Sequence, residues 1–155
     1  MALASSVLNA ARAKGVMIAT AESCTGGMVA AALTDVAGSS AVVERGFVTY
    51  SNAAKMQMLG VTKQALNEYG AVSEPVAREM ALGALAHSNA ELTVSITGIA
   101  GPGGSDHKPE GRVCFATATE DRVFVETVEF GALGRDKVRQ AACDHALDLL
   151  HRALS

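Results

Sequence analysis

The sequence predicts an α/β protein of one domain, residues 1–155, folded as a three-layer α/β/α sandwich around a mixed, mostly parallel sheet of about five strands. Three observations predict it. Short apolar runs rich in β-branched residues alternate with longer segments of helical periodicity, the pattern of strands linked by crossover helices. The 155 residues, 49% of them hydrophobic, suffice for one sizeable core. The last two strand-like runs are separated only by Glu120-Asp121, a hairpin signal, so at least one strand must be antiparallel.

Taken in order, Leu3, Val7, Leu8 and Ala11 recur at helical spacing, with Gly15 as the expected C-cap. VMIATA (16–21) reads as a buried strand, ESCTGG as a tight turn and MVAAALTDV as a helix ended by Gly38-Ser39-Ser40. RGFVTY (45–50) is the second strand. Asn52 is expected to cap a short helix closed by Gly60, and Thr62 another ended by Gly70. Ser73 caps a longer helix that tolerates Pro75 in its first turn. ELTVSIT (91–97) is the third strand and leads into the loop GIAGPGGSDHKPEG. The hairpin RVCFATAT and RVFVETVEF follows, and an amphipathic helix from about Arg135 to Leu154 closes the chain.

The net charge of −3 lacks the basic stripe that a nucleic-acid backbone demands, so no nucleic acid partner is expected. Cys24, Cys114 and Cys143 form no pair spacing and no disulfide framework, which fits a reducing compartment. The first residues lack the basic start and apolar run of a signal peptide, and no stretch approaches the ~20 apolar residues of a membrane span. The expectation is a cytoplasmic protein without a membrane partner. HExxH, cysteine pairs and clustered carboxylates are missing from the sequence, so no metal and no cofactor are expected. Asp106-His107 is the one conceivable metal ligand pair, and a solvated loop is its simpler reading.

In a parallel sheet the loops after the strands share one edge, where ligands bind. Three unusual loops fall there: ESCTGG after the first strand, Tyr50 to Lys55 after the second, and Thr97 to Gly104 after the third. Ser23 lies where a strand turns into a helix. Helix-start amides would stabilise an oxyanion formed on it, and Gly26 and Gly27 would let a substrate approach the backbone. Equally, Ser23 or Thr25 serves simply as a helix cap. Cys24 is a rival nucleophile without a visible base, and packing under the turn is its plainer role. Of the four histidines only His107 falls near a strand end, so a Ser-His-Asp triad is not expected. A desolvated Lys55 offers an alternative base and Tyr50 would enter the same cleft. Their ordinary readings are an exposed helix lysine and a core-edge aromatic. The Gly-rich segment lacks the Walker A and dinucleotide spacings, yet its amides could hold a phosphate or carboxylate, or it is an ordinary flexible loop.

Together TAESCTGG, LTDVAGSS, ERGFVTYSNAAK, GAVSEPVA, SITGIAGPGG and RDKVRQAA resemble the CinA C-terminal-domain family, the nicotinamide-nucleotide amidohydrolases, from about residue 19 to 142. The resemblance implies a CinA-like sandwich and hydrolysis of the carboxamide of nicotinamide mononucleotide to nicotinate mononucleotide and ammonia, without metal. It implies Ser23 as nucleophile with Lys55 and Tyr50 as catalytic partners. It also implies nucleotide contacts from the Thr25, Gly26, Gly27 turn and from Thr97, Gly98, Gly101, Gly103 and Gly104, with Arg139 as phosphate partner, and commonly a homodimer. After Lys108-Pro109 that family usually has a small or apolar residue and then Gly-Thr-Val. This chain has Glu110-Gly111-Arg112-Val113, residues that either reshape the cleft rim or face solvent. Two other readings stand beside the enzyme: a nucleotide-binding module without turnover, and an amidohydrolase for a different carboxamide.

Overall fold

Apolar spacing and capping hydroxyls set the elements in the computed structural model, which describes residues 2–105 and 107–155. Helix α1 (Ala2–Lys14) buries Ala4, Val7, Leu8 and Ala11 at three- and four-residue spacing, and Gly15 ends it at φ 67°, a left-handed conformation that glycine adopts without a Cβ clash. Strand β1 (Ile18–Glu22) passes through a turn over 23–27 into α2 (Met28–Thr34). A single 3-10 turn at Ser39–Ala41 leads to β2 (Val43–Val48). Helices α3 (Asn52–Leu59), α4 (Lys63–Tyr69) and α5 (Glu74–Ala86) each open on a hydroxyl: Ser51, Thr62 and Ser73 accept from the amides of Ala54, Ala65 and Val76. Strands β3 (Leu92–Gly98), β4 (Arg112–Ala118) and β5 (Val123–Glu129) and helix α6 (Arg135–Ala153) complete the fold.

Several boundaries differ from expectation, β1 among them (Ile18–Glu22 where 16–21 was expected), and two bear on the site. Ser51, not Asn52, caps α3: Ser51 has the extended backbone (φ −98°, ψ 161°) that aims its hydroxyl at the Ala54 amide, and Asn52 is already helical. Strand β2 begins at Val43 and stops at Val48, because pairing with β1 starts at the Ile18–Val43 partners.

The sheet order is β2-β1-β3-β4-β5. Strand β1 pairs parallel with β2 and β3, while β3–β4 and β4–β5 are antiparallel, so β4 alone runs against the other four. Side-chain alternation divides the core. Leu92, Val94, Ile96, Val113 and Phe115 pack with α1, α2 and α6, while Cys114, Ala116 and Ala118 pack against α5. On the α5 side of β3 the side chains are polar and fully buried, and all are paired. Thr93, Ser95 and Thr97 donate to the carbonyls of Ala81, Ala77 and Ala71 at 2.8, 2.6 and 2.9 Å. The carboxyl ends of β1, β2 and β3 therefore share one edge, as the parallel reading requires. Among the described residues no helix is long and apolar enough to cross a membrane.

Candidate active site

Alternation at the end of β1 sends neighbouring residues to opposite sides of the sheet. Glu22 points into the start of α2. Its Oε1 accepts from the Gly27 and Val29 amides at 3.1 and 3.0 Å, and its Oε2 from Ala30 at 3.0 Å. The fully buried carboxylate satisfies amides that a helix start leaves unpaired and complements the dipole there. Three of the helix-start amides considered for an oxyanion at Ser23, those of Gly27, Val29 and Ala30, therefore already belong to Glu22. The sequence signal that could have found Glu22 was a lone carboxylate wedged between an apolar strand and a helix.

Ser23 turns the other way, toward α3. Its amide donates to the Ile96 carbonyl at 3.0 Å, which ties the residue to β3. Lys55, in the first turn of α3, reaches across so that Nζ lies 3.0 Å from Ser23 Oγ and 3.0 Å from the Thr49 carbonyl. Lys55 is 2% exposed, and among the described residues no carboxylate pairs with it. Burial pushes its ammonium below the usual lysine value of 10.5, against a smaller opposing effect from Cys24. A neutral amine at that distance can take the proton of a serine hydroxyl. The Cys24 thiol goes the opposite way. Burial, reinforced by the Glu22 charge, pushes it up to about 12 against the counter-effect of its own amide, so it stays protonated and packs under the turn.

Tyr50 stands on the rim, 59% exposed, with its hydroxyl accepting from Arg135 Nη2 at 2.6 Å. Arg135 Nη1 donates to the Gly101 carbonyl at 2.7 Å, joining the tyrosine to the Gly-rich loop. Sequence reasoning passed over Arg135 in favour of Arg139 from the same segment; its position directly after Gly134 at a helix start was the available signal. Arg139 instead braces the outside of the 23–27 turn, donating to the carbonyls of Cys24 at 3.0 Å and Thr25 at 3.3 Å. Thr25 is buried with its hydroxyl unpartnered, and Gly26 and Gly27 adopt positive φ in the turn.

A cleft of about 300 Å³ joins Ser23, Lys55 and Tyr50 to Thr97, Gly98, Gly101, Gly103, Gly104 and Arg135. Thr25, Gly26, Gly27 and Arg139 are not on its wall. Larger hollows of about 470 and 580 Å³ lie at the other end of the sheet, around the 119–122 turn, and set no nucleophile beside a base. Of the pair considered for a metal, Asp106 lies outside the described residues and His107 is exposed with φ 62°. Among the described residues no cluster of His, Cys, Asp and Glu gathers as a metal site.

The comparisons with known proteins agree with this architecture. The chain is 54% identical, over 97% of its length and 92% of the relative's, to a protein of Escherichia coli K12 called nicotinamide-nucleotide amidohydrolase PncC. Among solved structures it superposes on the competence/damage inducible protein CihA of Agrobacterium tumefaciens with a TM-score of 0.95 and 49% identity, covering 99% of this chain and 93% of that one. A CinA superfamily protein from Klebsiella pneumoniae gives a TM-score of 0.95 at 36% identity, covering 99% and 96%. The family pattern described as CinA C-terminal domain matches residues 1–154, and the chain belongs to that family.

Proposed function

We propose that the protein hydrolyses the carboxamide of nicotinamide mononucleotide, giving nicotinate mononucleotide and ammonia. The 3.0 Å contact between Ser23 Oγ and a buried Lys55 that pairs with no carboxylate among the described residues carries this reading, because it couples a nucleophile to an amine that burial drives toward its neutral form. The name of the E. coli relative supports the substrate.

In this mechanism Lys55 Nζ accepts the hydroxyl proton as Ser23 Oγ attacks the carboxamide carbon. The tetrahedral intermediate collapses as the Lys55 ammonium protonates the leaving nitrogen, and ammonia departs. Water then attacks the acyl ester, with Lys55 again taking a proton, and nicotinate mononucleotide leaves as Ser23 regains its hydrogen. The Thr49 carbonyl, an acceptor for Nζ in every state, keeps the amine aimed at Ser23 through the cycle. Tyr50 and Arg135 form the outer rim, where they would meet the ribose phosphate. Arg135 lines the cleft and Arg139 does not, so Arg135 is the guanidinium placed to meet an anionic group there.

Ammonia release from nicotinamide mononucleotide tests the proposal. Ser23→Ala should lower kcat by about 10³-fold or more, as removal of a nucleophile does in other serine hydrolases. Wild-type turnover by that variant would refute the nucleophile. Tight calorimetric binding without any turnover by the wild type would favour the binding module instead.

A further inference from the structure

Glu110 is neither solvent-facing nor part of the Ser23–Lys55 pair. Its Oε1 accepts from the Gly103 amide at 2.7 Å and its Oε2 from the Gly134 amide at 3.0 Å. These amides belong to separate elements: Gly103 to the Gly-rich loop on the cleft wall, and Gly134 to the N-cap of α6, directly before the cleft-lining Arg135. Arg135 closes the circuit through the Gly101 carbonyl and the Tyr50 hydroxyl. The loop is thus held by an acceptor on its N–H side and by a donor on its C=O side. Its far limb is held as well, since Lys108 Nζ donates to the carbonyls of Tyr69 and Val72. The loop backbone lies against the carboxylate: a Cβ on Gly101 would fall 2.6 Å from the Glu110 carboxyl carbon. Arg112, the neighbouring departure from the family pattern, has no such role. It pairs with Glu129 across β4 and β5 at 2.7 Å, a partly exposed pair.

We propose that Glu110 is a positioning residue that locks the Gly101–Gly104 loop into its substrate-holding shape by clamping it to the start of α6. This rests on the reading of the cleft as the substrate site. A loop already ordered in the free protein spares binding the entropy of ordering it, so the clamp acts on affinity more than on the chemical step. Proton transfer stays with Ser23 and Lys55, which the clamp does not touch.

The experiment uses Glu110→Ala and Glu110→Gln in the full chain. Amide exchange at Gly103 and Gly134 is followed by NMR, together with thermal melting and steady-state kinetics on nicotinamide mononucleotide. In Glu110→Ala the Gly103 amide should exchange about tenfold faster or more, as for a segment released to local opening. KM should rise about five- to twentyfold, the equivalent of one to two net hydrogen bonds, with the loss falling on KM rather than kcat. Glu110→Gln, which keeps one carbonyl acceptor, should fall between wild type and Ala. Unchanged exchange and unchanged KM in Glu110→Ala overturn the clamp. So does a fall in kcat that follows a lowered melting temperature while KM stays constant, which would mark a merely structural residue. Exchange at Gly103 needs no substrate. A wild type that fails to turn over the nucleotide therefore overturns the substrate reading, while the exchange result still upholds or overturns the clamp.

Discussion

A lysine sealed from water beside a serine hydroxyl behaves differently on the two sides of its own titration. Burial lowers the Lys55 pKa, so the neutral amine that can accept the Ser23 proton prevails above the lowered value and is lost as pH falls through it. The kcat/KM for nicotinamide mononucleotide should therefore decline on the acid side through one ionisation lying below 10.5. Lys55→Arg should lose about 10²- to 10⁴-fold in kcat at every pH, because a guanidinium stays charged and cannot serve as base. A flat profile across that ionisation, or an active Lys55→Arg variant, would remove Lys55 from the mechanism. The same titration bears on stability. In the window between the lowered folded value and the unfolded one the unfolded chain binds the extra proton, so stability rises with pH there; below the window the buried charge is a constant cost. Ser23, Tyr50 and Lys55 were legible in the sequence as chemistry-bearing residues after strands. Glu22 and Arg135 carried only a faint local signal, a lone carboxylate between an apolar strand and a helix and an arginine directly after Gly134, and such a signal does not by itself separate a capping carboxylate or a rim guanidinium from a solvated one.

Helix α3 carries Lys55, and its seat depends on α5. Gly83 lies in the last turn of α5, buried against the end of α3: a Cβ there would sit 1.9 Å from the Leu59 carbonyl oxygen and 2.8 Å from its carbon. Backbone has to move to admit even one methyl group. Gly83→Ala should therefore destabilise the protein by about 1–3 kcal/mol, the usual range for overpacking, although alanine is the better helix former by about 1 kcal/mol. Urea denaturation measures this. The activity of the folded fraction should fall too, since the displaced helix is the one that holds Nζ at Ser23. An alanine variant as stable as wild type would show that the α3–α5 contact is free to slide. Element order and most caps could be read from spacing alone. The choice between Ser51 and Asn52 could not, since both side chains can cap and only the extended backbone at Ser51 selects it.

Across the whole molecule the thiols report on the integrity of the core. Cys24, Cys114 and Cys143 are free and buried on different parts of the fold, and burial raises the pKa of each, to about 12 and about 11 for Cys24 and Cys143. Thiolate and access are both denied in the native state. Iodoacetamide at neutral pH should leave the native protein unmodified and label all three on denaturation, with mass spectrometry counting the adducts. Rapid labelling of Cys24 in the native state would reopen it as a rival nucleophile.

Local information was enough for the alternation of strands and helices, the antiparallel hairpin, the shared edge of three parallel strands and the kinds of side chain gathered there, because each is written in spacings of two to four residues. It was not enough for the working parts of the site. Lys55 stands 32 positions from the Ser23 hydroxyl it contacts, Arg135 stands 85 positions from Tyr50, and Arg139 reaches back 115 positions to brace a turn rather than line the cleft. Which of two nearby arginines enters the cleft, which acceptor takes the helix-start amides and how dry Lys55 becomes are set by how distant segments pack, and packing distance leaves no periodic trace in the chain.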